Sequence, residues 1–313
     1  MWGNSLGWGI SGVITLLVVA IGTWLQSALG ISPPTDFSQN PANLAPLSLP
    51  VGLSIPATQP GDGGDLYLKA AGEYIEQQGA INTFIQDPSG DPPESIQLVL
   101  AAVGKSSATL FIRDPSQIVN YDAAHPHLDN LQELGNAVAQ AGEALRLAKK
   151  PDDARRYFIA SYVLGTTMVR ERLVFDEYTK GVGLMDESLA GLGECEPAGS
   201  ARIAEYDNLS HALVDFDTKN VRPIYGTISS ANADVIETAA GDIFVFATQS
   251  QERMFRVEAI LKLGRYRFDA FRAGDQHGAT RYLQVMTGDP DPVIQTAARA
   301  GANLTIEQYR TIH

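Results

Sequence analysis

The sequence has one cysteine, Cys195, in 313 residues. A lone thiol closes no internal disulfide and builds no multi-cysteine zinc site. Flanked by Glu194 and Glu196, it reads as a loop residue whose pKa the two acids raise, a weak nucleophile. HExxH and CxxC are missing, and the GxSxG match at Gly3–Gly7 and the GxGxxG match at Gly7–Gly12 both fall in the charge-free N-terminal stretch, so no motif in the rest of the chain implies a cofactor or a resident metal. Basic residues are scarce: 23 Lys and Arg face 36 Asp and Glu, a net charge of −13. A phosphate backbone needs a basic footprint, which excludes nucleic acid as a natural partner.

Charge of either sign is missing from Met1 to Thr35. Within that stretch Gly9–Ile31 is predominantly apolar, with Trp8 and Trp24 near its ends. Twenty-three helical residues span about 34 Å, enough for a bilayer core, and indole rings favour the headgroup level. Residues 1–31 therefore read as a single transmembrane signal-anchor. The basic n-region of a cleaved signal is missing, although Ala28-Leu29-Gly30 has the small-x-small form of a cleavage site. Gly3, Gly7, Ser11 and Thr15 fall every four residues and would let a second membrane helix approach closely, unless their spacing is chance. The downstream flank has Asp36, Asp62 and Asp65 before its first lysine, Lys69. Such a flank is easily translocated, which puts the rest of the chain outside the cytoplasm.

Residues 32–62 contain seven prolines and read as an extended, semi-rigid tether. Leu47, Leu49, Val51, Leu53 and Ile55 alternate with other residues, so part of the tether is free to lie against the helical region. From 63 to 313 the grammar is helical. Ala154, Tyr157, Phe158, Ser161, Gly165 and Met168 form one stripe at 3.6-residue spacing, and Val257, Ile260, Leu261 and Gly264 form another. Acid-proline pairs at Asp91-Pro92, Asp114-Pro115 and Asp291-Pro292 mark helix starts, and Glu94, Gln117 and Gln308 complete capping boxes. These signals place helices near 65–86, 93–103, 127–150, 152–170, 172–192, 198–218, 232–247, 250–264, 276–287, 292–302 and 305–312. Residues 95–113 fit two short strands around a turn, or a helix then a strand, with helix preferred. The fold class is all-α: a transmembrane helix followed by a bundle or short solenoid of packed helical hairpins.

Four short stretches carry donors for chemistry. Gly104-Lys105-Ser106-Ser107 has the tail of a phosphate-binding loop, but Val99 stands where the first glycine belongs, so it reads as a helix C-terminus. Asp122, His125, His127 and Asp129 could ligate a divalent ion or simply open a helix. His211 and Asp215 share a helical face, as an acid–base pair or a surface pair. Asp87, Ser89 and Asp91 have calcium-loop spacing, but Pro92 replaces the turn glycine.

The last 61 residues reverse the charge balance, with nine Lys and Arg against six acids. Arg253, Arg256, Arg265 and Arg267, with Lys262 and Arg272, form a basic run. It could meet an acidic partner or lipid headgroups, or pair with the chain's own acidic majority. Ala154–Phe158 (ARRYF) and Ala279–Leu283 (ATRYL) echo one another, with Gly142 and Leu263-Gly264 upstream. In these small, aromatic and glycine positions the chain resembles helix-hairpin repeats of the tetratricopeptide type. The resemblance implies solenoid-like stacking and exposed binding grooves. The sequence thus points to a membrane-anchored scaffold or protein-interaction module of the cell envelope, with a protein partner. The alternative is an enzyme or small-molecule binder whose site gathers Tyr157, Arg156, Arg170, Glu171, Tyr178 and His211 in a helical cavity.

Overall fold

The structure, a computed structural model, describes residues 44–50, 52–121, 125–231, 237–269 and 278–312. The expected membrane segment at 1–31, with Gly3, Gly7, Ser11 and Thr15, lies outside the described residues, as does the tether before Leu44. Among the described residues no helix is long and apolar enough to cross a membrane.

The chain is mostly helical. A first group comprises α1 (Gly64–Gln86), α2 (Glu94–Ala102), α3 (Ser116–Val119), α4 (Pro126–Leu147), α5 (Pro151–Glu171), α6 (Phe175–Glu194) and α7 (Ala201–Phe216). A π-turn, Asp217–Val221, leads into α8 (Arg222–Ser230), α9 (Glu237–Gln249), α10 (Arg253–Asp269), α11 (Ala279–Met286), α12 (Pro292–Asn303) and α13 (Ile306–Ile312). In the first group α4 packs between α1 and α5, and α5 against α6. In the second, α10 is the hub for α8, α9, α11 and α12.

The apolar stripe of α5 explains its place. Ala154, Tyr157, Phe158, Ser161, Gly165 and Met168 are all buried. Its closest partner is α6, whose Gly181 crosses Gly165: a Cβ on Gly181 would lie 2.7 Å from the Gly165 carbonyl oxygen, and one on Gly165 would lie 2.6 Å from that of Gly181. Glycine weakens a helix by about 1 kcal/mol relative to alanine, and here the close approach of two backbones offsets that cost. Gly264 of α10 meets Gly301 of α12 in the same way, with 2.9 Å left for a Cβ.

Helix ends follow local chemistry, with two corrections. Asp291 caps α12 by accepting from the Val293 N–H at 2.9 Å. Thr305 and Gln308 form the reciprocal capping box at 2.6 and 3.2 Å. Asp91 caps nothing: α2 starts after Pro93, and the Ser95 N–H donates to Gln77 Oε1 at 3.0 Å. Residues 95–113 are not one helix. The chain leaves α2 into strand β2 (Lys105–Ser107), parallel to β1 (Gln59–Asp62). Gly104 is therefore a ladder residue, its carbonyl accepting from the Thr58 and Gln59 N–H groups at 3.0 and 2.9 Å, and Lys105 reaches Gln59 at 3.0 Å. A local pattern could not show this, because the pairing strand lies 46 residues upstream. Helix α8 also has no counterpart among the expected helices; it continues α7 through the π-turn, which ends two residues before Pro223.

The described end of the tether lies on the helices. Leu47, Leu49, Leu53 and Ile55 are half-buried against the core at period two, as an extended strap with one face down. The Leu53 N–H donates to the Tyr162 hydroxyl at 3.1 Å, and Leu44 accepts from the Gln251 N–H at 2.8 Å.

Gly181→Ala is expected to destabilise the chain by about 1–3 kcal/mol through overpacking. Gly183→Ala, on the same helix with nothing within 4 Å of a new Cβ, should stabilise it by up to about 1 kcal/mol. Thermal melts of both variants check this; equal shifts would reject the close crossing as the cause.

Candidate functional site

The seam between the two helical groups is polar, and its centre is Arg172. This residue ends α5 at a left-handed φ of 30°, which turns its guanidinium back toward α10. It grips Glu252 with two nitrogens, at 2.8 and 3.1 Å, and its third nitrogen donates to the Val169 and Arg170 carbonyls at 3.2 Å each. The Glu252 side chain is 4% exposed and also accepts from the Leu47 N–H of the strap at 3.2 Å. One carboxylate thus joins α5, α10 and the strap.

Around this pair opens a cleft of roughly 360 Å³, lined by Pro46, Arg170, Glu171, Arg172, Ser250, Gln251, Glu252, Arg253, Arg256 and Asp291. Arg253 pairs through Nε with Asp291 at 2.9 Å. Arg256 pairs with Asp289 at 2.6 Å and donates to the Ala247 carbonyl at 2.8 Å. Glu171 turns away, its carboxylate accepting from the consecutive N–H groups of Leu110, Phe111 and Ile112. Arg170 is exposed, and its guanidinium has no partner among the described residues.

Arg272 of the basic run lies outside the described residues, and its remaining members serve elsewhere. Arg267 donates to the Gly301, Ala302 and Leu304 carbonyls at 3.0, 2.6 and 3.2 Å, closing the end of α12. Arg265 lines a smaller cavity of about 50 Å³ with Tyr225, Lys262 and Glu258, its guanidinium 5.9 Å from the Tyr121 ring centre. Of the six residues expected to converge, only Arg170 and Glu171 line the cleft. Tyr157 stacks on Phe84 at 6.2 Å, Tyr178 is buried beside Phe216, and Arg156 and His211 are exposed on other faces. Local sequence pattern does not reveal Arg172, Ser250, Gln251, Glu252 and Asp291, which meet only when α5, α10 and α12 pack together.

None of the remaining candidates lines the cleft. Asp122 lies outside the described residues, His125 precedes α4, His127 is exposed, and Asp129 pairs with Lys180 at 3.2 Å. Asp215 pairs with Lys219 at 2.7 Å. Among the described residues no three His, Cys, Asp or Glu side chains group to hold a metal ion. Cys195 is buried at the end of α6; burial, more than the flanking acids, pushes its thiol up.

Glu171 is joined by two more buried carboxyls, Glu177 and Glu258. Burial holds Glu171, Glu177 and Glu258 above the usual carboxylate range. The effect is strongest at Glu177, which has one oxygen on the Leu173 N–H at 2.6 Å and the other without a hydrogen-bond partner. Glu258 accepts from the Phe175 N–H at 2.8 Å. The Phe175 ring stacks on Tyr225 of α8 at 3.6 Å. The chain matches no protein-family model, no curated protein and no solved structure.

Removing either partner of the seam pair strands a buried charge. Arg172→Met and Glu252→Gln should each cost about 3–5 kcal/mol, and the double variant much less than their sum. A denaturation double-mutant cycle with additive losses would show that the two side chains do not depend on each other. For Glu177, the unfolded chain ionises near 4.5 while the folded chain keeps the proton to higher pH. The stability it contributes is full below the unfolded pKa and falls as pH rises toward the folded one. Glu177→Gln should therefore gain stability relative to the parent from pH 5 to pH 8 in urea titrations. An unchanged difference would mean that Glu177 is ionised in the fold.

Proposed function

We propose that this chain is a membrane-anchored helical scaffold of the cell envelope that captures a protein partner at the seam cleft. The observation carrying the reading is the open cleft at the junction of two helical groups, where four arginines gather in a chain of net charge −13. Concave surfaces between packed helices suit extended partner segments. Glu171, Glu252 and Asp291 also line this cleft but are engaged in the fold, whereas Arg170 has no partner among the described residues, so the partner segment the cleft fits is acidic. The charge-free segment before Thr35 supplies the anchor, and the following flank without basic residues supports an extracytoplasmic helical domain. A tetratricopeptide-like stacking of hairpins is part of this proposal, supported by the sequential packing of α4, α5 and α6.

The strap constrains the experiment. A chain beginning at Asp62 lacks the Leu47 N–H bound to Glu252 and the Leu44 carbonyl bound to Gln251. A chain beginning at Phe37 keeps both. The full-length protein should resist alkaline carbonate extraction from native membranes, and the Phe37 form should not. Crosslinked capture from those membranes should yield one stoichiometric protein, lost with Arg170→Glu at an unchanged melting temperature. Release by carbonate would end the anchor reading. Capture indifferent to the charge reversal would move recognition away from the cleft.

A further inference from the structure

The geometry points to a built oxyanion site in the seam cleft, where Arg170 and Arg253 take one carboxylate or phosphate group between them. The inference rests on reading this cleft as the recognition surface, and it names the chemical group recognised there. Unused donors carry it. A guanidinium presents five N–H groups in a planar fork that matches a carboxylate or phosphate edge. Arg172 commits all three nitrogens to Glu252 and two carbonyls. Arg256 commits Nε and one terminal nitrogen. Arg253 commits only Nε, to Asp291, so both its terminal nitrogens remain. Arg170 commits none to any described residue.

The acids nearby are engaged in the fold, and only Asp291 pairs with either of these two, at Arg253 Nε. Glu171, adjacent in sequence to Arg170, is held by three backbone N–H donors from the 110–112 segment. Glu252 is saturated by Arg172 and Leu47. Asp291 is divided between Arg253 and the cap of α12. What remains is the charge of Arg170 and the free terminal N–H groups of Arg253 on the wall of a concave space, where an anion is held more strongly than at a flat surface. The cleft volume, roughly 360 Å³, falls in the range of small-ligand sites, about 300–1,000 Å³. It admits an acidic side chain on a partner segment or a free anion.

The test uses the full-length chain in neutral detergent, titrated calorimetrically with hexaglutamate and separately with inorganic phosphate, against a hexaglutamine control. Binding by hexaglutamate, phosphate or both, but not hexaglutamine, is expected, with affinity falling as chloride rises. Arg170→Gln removes no contact of the fold, and it should weaken binding about tenfold, as loss of roughly 1.4 kcal/mol implies. Arg170→Lys should recover part of that loss, because it restores charge without the fork. Hexaglutamate alone assigns the site to a peptide, and phosphate alone assigns it to a free anion; either supports the site. Binding by neither, or binding equal in Arg170→Gln, overturns it. If the site fails while the full-length chain still captures its membrane partner, the scaffold reading survives and recognition lies elsewhere.

Discussion

The ion pair between Arg172 and Glu252 decides how the two helical groups meet. Both side chains are largely withdrawn from water, so each needs the other. A buried pair of this kind adds little net stability over an apolar contact, but it penalises every arrangement that separates its members. The left-handed turn at Arg172 is part of the same constraint. A non-glycine residue in that region is disfavoured, and it persists because the guanidinium is fixed at both ends, on Glu252 and on two carbonyls of its own helix. The strap is drawn in through the second Glu252 oxygen.

Other buried acids, within the first group and across the seam, repeat this pattern. Glu171 closes over three N–H groups of the segment after β2, and Glu258 receives the N–H of Phe175 at the start of α6. Each is an acid placed where backbone donors would otherwise face low-dielectric surroundings. Burial holds the carboxyls above their ordinary range, and the N–H donors partly restore the charged form. The interior of each group is held differently, by apolar stripes and glycine crossings. The molecule thus joins two conventionally packed groups through a polar joint, and the cleft is the part of that joint left open.

The helices were legible wherever one face alternates with the other. The α5 stripe from Ala154 to Met168 is the core face, and Thr305 with Gln308 forms a capping box, because capping and amphipathicity act over three or four residues. The short ladder of Gln59–Asp62 with Lys105–Ser107 was not legible, since each strand is only a few residues long and its partner is remote. The cleft was legible in fragments: Arg253 and Arg256 stood out in the basic run, and Arg170 and Glu171 among the residues expected to converge, but nothing local joined them.

By itself the sequence determined the helical class, most helix positions, the absence of disulfide and multi-cysteine chemistry, and the charge-free N-terminal stretch. Those features come from composition and short-range periodicity. Only the tertiary structure decided which charges are paired and which are open. Arg267 closes a helix end and Arg172 is locked to Glu252, while Arg170 stands unmatched among the described residues, although all three are arginines. The physical reason is that charge pairing is set by distance in space. Glu252 lies 80 residues from Arg172 in the chain, and packing alone brings it within 2.8 Å.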